Sequence, residues 1–147
     1  MASDPVQRLA DEMEIRNLVA HVAHLADMTP DLDDYLPCFT ADAVWEMNAN
    51  AAEGLSHSRT VGHEEILADR RERRGDGFQG PGTHTRHVNT TLAVTVHDDD
   101  TAEAESYWLF IGDTDSQPVL RAIGHYRDQF RRTDEGWKLS HRQITNG

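Results

Sequence analysis

The chain has 147 residues, 26 acidic and 14 basic, with a formal charge of −12 and a single cysteine, Cys38. That length suits one domain around one core, spanning residues 1–147, and that charge repels phosphate backbones and anionic lipid, which argues against nucleic acid and membrane surfaces as partners. No apolar run approaches the roughly 18 residues of a membrane span, "MASDPVQRLADEM" lacks the basic-then-apolar order of a leader, and one cysteine allows no internal disulfide, so a cytoplasmic protein is expected.

In chain order, "SDPVQ" predicts a helix start with Asp4 as cap, Pro5 in the first turn and Gln7 three residues past the cap. Leu9, Met13, Leu18, Val22 and Leu25, with Val19 and Ala26, form an apolar stripe at helical spacing that ends before Pro30. A short second helix is predicted over "DLDDYLPCF", a strand over "AVWEMN", and a third helix over "GHEEILADRRERRG" closed by Gly75. Four β-branched and aromatic runs follow: "THTRHVNTTLAVTV", "TAEAESYWLFIG", "PVLRAIGHYRDQFRR" and "GWKLSHRQIT". Turn residues separate them, which predicts an antiparallel meander. Helices first and strands afterwards predict an α+β fold, a cone-shaped barrel with helices packed on the concave face of a curved sheet. The open end of such a cone can hold a small molecule.

Few residues could carry chemistry there. Asp27 falls at a helix C-terminus, where a carboxylate meets the negative end of the dipole; it is either a solvated turn residue or a carboxylate turned into the cone. His87 could act as a general base if a carboxylate held its second ring nitrogen. Plain alternation groups it with Thr85 and Asn89, opposite Leu92, Val94 and Val96; a β-bulge near "NTT" would put it with them. Arg142 and His125 have equally open facing, and Trp45, Tyr107, Trp108, Phe110 and Trp137 fit either lining or core. His21 and His24 share a helical face, but no further ligands follow at metal spacing, and His84 and His87 would leave a strand on opposite sides, so no metal is expected. "RRERR", residues 70–74, reads as the solvated end of a helix. No phosphate loop or nucleophile elbow is present, and no organic cofactor is expected.

The strings "FTADAVWE", "VGHEEI", "TRHVNTTLAV" and "GHYRDQFRRTDEGWKLSHR", in this order from about Leu9 to Ile144, resemble the nuclear transport factor 2-like superfamily, within it the SnoaL-like proteins and the scytalone dehydratase and γ-hexachlorocyclohexane dehydrochlorinase branch. The resemblance implies an Asp27–His87 pair, with Arg142 completing the site. It also implies the bulge. Trp45, Tyr107, His125 and His24 are the expected pocket residues. The pattern departs from scytalone dehydratase in lacking a second histidine on "AEAESYWLFIG". Asp128 lies near the aspartate that SnoaL-type cyclases use.

The expected function is a cofactor-free lyase or isomerase, of dehydratase, dehydrohalogenase or cyclase type, working on a small, largely apolar substrate. The competing class is a ligand-binding protein or a structural subunit such as the small subunit of a ring-hydroxylating dioxygenase. Unmatched apolar residues on the late strands (Trp108, Phe110, Ile123, Tyr126 and Phe130) predict a homo-oligomer, dimer or trimer.

Overall fold

A computed structural model describes residues 4–49 and 56–147; the first three residues of the stretch read for a leader lie outside that range. Helix α1 spans Pro5–Met28, and Asp4 caps it by accepting the Val6 amide at 3.2 Å. Gln7 does not reach back to the cap but donates to Asp11 at 3.1 Å.

The buried stripe of α1 runs through Asp11, Ile15, Val19, Val22, Leu25 and Ala26, while Leu9 and Met13 are exposed. A step of two residues turns a helix by about 200°, so Leu9 and Met13 lie opposite Asp11 and Ile15. A carboxylate inside the stripe concealed it from a purely apolar reading. Asp11 is tolerated there because Arg132 grips it with two nitrogens, at 2.9 and 2.6 Å, and Trp137 Nε1 donates to it at 3.1 Å.

The predicted second helix is only a 3-10 turn, Leu36–Cys38, because the chain enters strand β1 (Phe39–Met47) directly after it. Cys38 is buried, and burial pushes its thiol up to about 11. Strand β2 (Ser58–Val61) was not foreseen, being four mostly exposed residues without an apolar period. Helix α2 spans Gly62–Gly75, and the meander is β3 (Arg86–Val96), β4 (Thr101–Gly112), β5 (Val119–Thr133) and β6 (Gly136–Asn146).

The six strands form one curved sheet in the order β2-β1-β6-β5-β4-β3, antiparallel throughout except for β1 beside β6. Both helices pack on its concave face, α1 mainly against β3 and α2 mainly against β1. Ile15, Val19, Tyr35, Phe39, Phe130 and Leu139 are among the fully buried side chains of the core between them. Each contributes about 1.5–3 kcal/mol of hydrophobic stabilisation.

Two irregularities set which residues face inward. On β3 the pairing steps from Thr90–Tyr107 to Ala93–Glu105, so Thr91 and Leu92 together oppose Ser106, and Thr91 takes a φ of 53°. On β6 the partners run Gln129–His141 and Phe130–Leu139, leaving Ser140 as the extra residue. Each bulge shifts a strand's period of two by one residue. His87 and Asn89 thereby share the inner face with Leu92, Val94 and Val96, and Arg142 shares it with Trp137 and Leu139.

Strands β4 and β5 keep strict alternation there, which corrects several expectations. Trp108, Phe110, Tyr126 and Phe130 point inward and are buried, so they form no outer patch; of the five residues expected there, only Ile123 is exposed. Tyr107 and His125 lie on the convex face, in contact with each other, with ring centroids 6.0 Å apart and Tyr107 half exposed. Being one residue out of phase with Trp108 and Tyr126, neither can reach the cone.

Candidate active site

Asp27 occupies the last turn of α1 and is only 2 % exposed, which excludes the solvated-turn reading. Its carboxylate meets β3, where Oδ2 accepts the backbone amide of His87 at 2.7 Å and Oδ1 accepts from the ring Nδ1 at 2.6 Å. With Nδ1 tied to a carboxylate, Nε2 is the nitrogen left to exchange a proton. Among the described residues no protein group hydrogen-bonds it.

The unfavourable helix end is relieved from outside. The last turn of α1 carries no basic residue, but Arg74 of α2 donates to the carbonyls of Leu25 at 3.1 Å, Ala26 at 3.0 Å and Pro30 at 3.1 Å. A guanidinium there caps the orphan carbonyls and offsets the dipole beside Asp27. Burial pushes Arg74 below the usual arginine pKa, with Asp27 acting in the opposite sense. The "RRERR" segment is therefore not a solvated face: Arg70 is buried and Arg74 is committed to another helix. Nothing in the residue pattern signals this, because helix polarity alone explains basic residues at a C-terminus.

A cavity of about 660 Å³ opens between α2, the following loop and the inner face of the sheet. Trp45, Phe78, Trp108, Phe110, Tyr126 and Ile144 supply much of its wall, and His87 stands among them with its ring centroid 4.9 Å from that of Phe110. Phe78, from the glycine-rich loop, stacks on Phe110 at 5.2 Å while staying half exposed, so it covers part of the rim. Apolar walls with a few polar groups are the usual construction of a small-molecule site.

Arg142 faces the cone, as the resemblance implies, yet its charge is already balanced. Nε and Nη2 each donate to Asp128 at 2.8 Å, and the guanidinium lies over Tyr126 and Trp45 at 4.0 and 5.1 Å. Both partners of this pair are almost wholly buried. Burial works against the charge on Arg142, but Asp128 outweighs it and the guanidinium stays protonated. Asp128 in turn is occupied and makes a poor base. Arg142 touches only a small inner void behind the main cavity, which His87, Asn89 and Arg70 also border.

Trp45 lines the cavity as expected. His24 is exposed and does not line the main cavity; it borders a groove between α1 and β3 that His87 and Asn89 also border. Trp108 and Phe110 line the cavity too, one of the two places open to them, whereas Arg70 and Gln79 belong to the site and escaped the sequence reading. Arg70 and Gln79 were hidden in segments that read as a polar helix end and a loop. Among the described residues no group of three or more His, Cys, Asp or Glu side chains gathers that could hold a metal ion. Among the described residues no helix is long and apolar enough to cross a membrane.

An α+β cone holding an open cavity with an Asp–His pair on its wall defines the class of protein. The chain belongs to the SnoaL-like domain family, whose model matches residues 7–143. No curated protein matches it. Among solved structures, a proposed aromatic ring hydroxylase from Novosphingobium aromaticivorans is 30% identical over 98% of this chain and 92% of its own, with a TM-score of 0.69. A proposed scytalone dehydratase from the same organism is similar in fold, at 18% identity over 95% of this chain and 85% of its own, TM-score 0.73. So is an NTF2-like protein with a cystatin-like fold, again from that organism, at 23% identity over 96% and 84%, TM-score 0.75.

Proposed function

We propose that the chain is a lyase or isomerase acting on a small organic molecule by proton abstraction from carbon. The observation that carries this is the Asp27–His87 pair on the wall of an unfilled cavity. Nε2 of His87 takes a proton from a substrate carbon, and Asp27 holds the ring in the required tautomer and stabilises the imidazolium that forms. In a dehydration, the C–H electron pair becomes the new C=C bond as the C–O bond to the neighbouring carbon breaks. The imidazolium returns its proton to the departing hydroxyl, giving water and the resting enzyme. Returning the proton to a different carbon instead gives an isomerase. An Asp–His pair performs either reaction without a cofactor.

Against this stands a non-catalytic role. A purely structural subunit would fill its cone with side chains, and the open cavity argues for uptake of a small molecule. The test is a panel of small hydroxylated and keto compounds incubated in D₂O and followed by NMR for olefin formation or carbon-bound deuterium. Wild-type protein is expected to process at least one, and His87→Ala to lose on the order of 10²-fold or more of that rate. Equal turnover by the variant would remove His87 as the base.

A further inference from the structure

We infer that the ligand of this cavity carries an anionic oxygen, a carboxylate or an ionised phenol, and that Arg70 pairs with it. The inference takes from the proposed function only the choice of cavity, and its test reads binding instead of turnover.

The molecule buries two arginines, Arg142 at 2% exposure and Arg70 at 6%. Taking a guanidinium out of water is costly unless a countercharge and hydrogen bonds replace the solvent. Arg142 has both, in the two-pronged contact with Asp128. Arg70 has neither in full. Its one hydrogen bond runs from Nη2 to the phenol oxygen of Tyr35 at 2.8 Å, and Nε is buried without a partner. Among the described residues no Asp or Glu forms an ion pair with it. Its guanidinium lies 5.2 Å from the Tyr35 ring centre and 5.6 Å from that of Trp45. Aromatic faces attract a cation, but they do not cancel its charge.

Its neighbours on α2 sharpen the contrast. Arg73 is answered by Asp69 at 2.9 Å and Arg74 by three carbonyls, so of the three arginines packed inward from this helix, only Arg70 lacks a counterpart. Arg70 lines the main cavity and also borders the inner void beside His87. Of the arginines that line the cavity, Arg73 pairs with Asp69 and Arg121 with Asp113 at 3.2 Å, so the local positive field is that of Arg70, in a chain whose net charge is −12. Apolar walls focus that local positive field. The same lining includes Trp108, whose Nε1 is a second buried donor without a partner. A bound anionic oxygen supplies the countercharge missing at Arg70, while the aromatic wall holds the rest of the ligand.

The test is calorimetric titration with matched pairs: 2-naphthoate against neutral 2-naphthamide, and 4-nitrophenolate against 4-nitroanisole above the nitrophenol pKa. Wild-type protein is expected to bind at least one anion about tenfold or more tighter than its neutral partner, and the pair showing the preference identifies carboxylate or phenolate as the source. Arg70→Met should abolish the preference by lowering the anion's affinity, and Arg71→Gln, exposed on the same helix and outside the cavity lining, should retain it. If Arg70→Met fails to fold, Arg70→Lys should keep a reduced preference. In the wild type, the Arg70 Nε–H NMR signal should move with the preferred anion and not with its neutral partner. No anion preference in the wild type, or one that survives Arg70→Met or vanishes in Arg71→Gln, overturns the inference. Failure of every probe to bind overturns both the inference and the small-molecule cavity. Anion preference together with undiminished turnover in His87→Ala would leave Arg70 standing and remove the catalytic reading.

Discussion

Asp27 holds His87 twice, through the backbone amide at 2.7 Å and through the ring at 2.6 Å, so one carboxylate fixes both the strand and the imidazole it carries. Asp27→Asn keeps the shape but cannot balance an imidazolium. Turnover should fall on the order of 10²-fold or more, while stability drops by only about 1–3 kcal/mol. Deuterium exchange into substrate and urea unfolding measure the two effects. Wild-type turnover in this variant would remove Asp27 from the mechanism.

Gly124 tests the cavity wall. A Cβ there would run into the carbonyl oxygen of Thr145 and the indole of Trp108, so the ring must move and the strands must part. Gly124→Ala is expected to cost about 1–3 kcal/mol by overpacking and to change Trp108 emission. An unchanged melting temperature would mean that the indole and the Thr145 backbone both yield freely.

Asp11 predicts an acid limb of stability. Hydrogen bonds from Arg132 hold its carboxyl at about 2, below the ordinary aspartate value of 3.8. A folded pKa below the unfolded one stabilises the fold above the unfolded value, and that contribution is lost as pH falls through the folded value. The window is therefore about pH 4 down to 2. Asp11→Asn should destabilise the protein by about 1–2 kcal/mol at neutral pH, and the difference should close across that window in pH-dependent urea melts. A difference independent of pH would assign the loss to packing.

Self-association is expected to use the convex face. Val88, Leu109 and Ile123 stand in one cross-strand row there, with Tyr107 beside them, and Val88, Tyr107 and Ile123 are each well exposed. Sedimentation at micromolar concentration should give a dimer or trimer mass, and Ile123→Asp should shift it towards monomer. A wild-type monomer would refute this arrangement.

The amino-acid sequence determined α1, α2 and the meander directly. Asp4 and Pro5 start α1, Gly75 closes α2, and β-branched runs between turn residues make β3 to β6, because these are local preferences read within a few residues. It also showed which residues alternate on each strand. It did not show the phase of that alternation. His87 and Arg142 turn inward because extra residues at Thr91 and Ser140 are accommodated when neighbouring strands pair, whereas Tyr107 and His125 turn outward because β4 and β5 pair there without interruption. Arg70 became visible only in the packed molecule, since whether a cation near a helix end is solvated or buried without a counterion depends on what the rest of the chain places against it. Periodicity is a property of neighbours in sequence, but facing and charge balance are settled by neighbours in space.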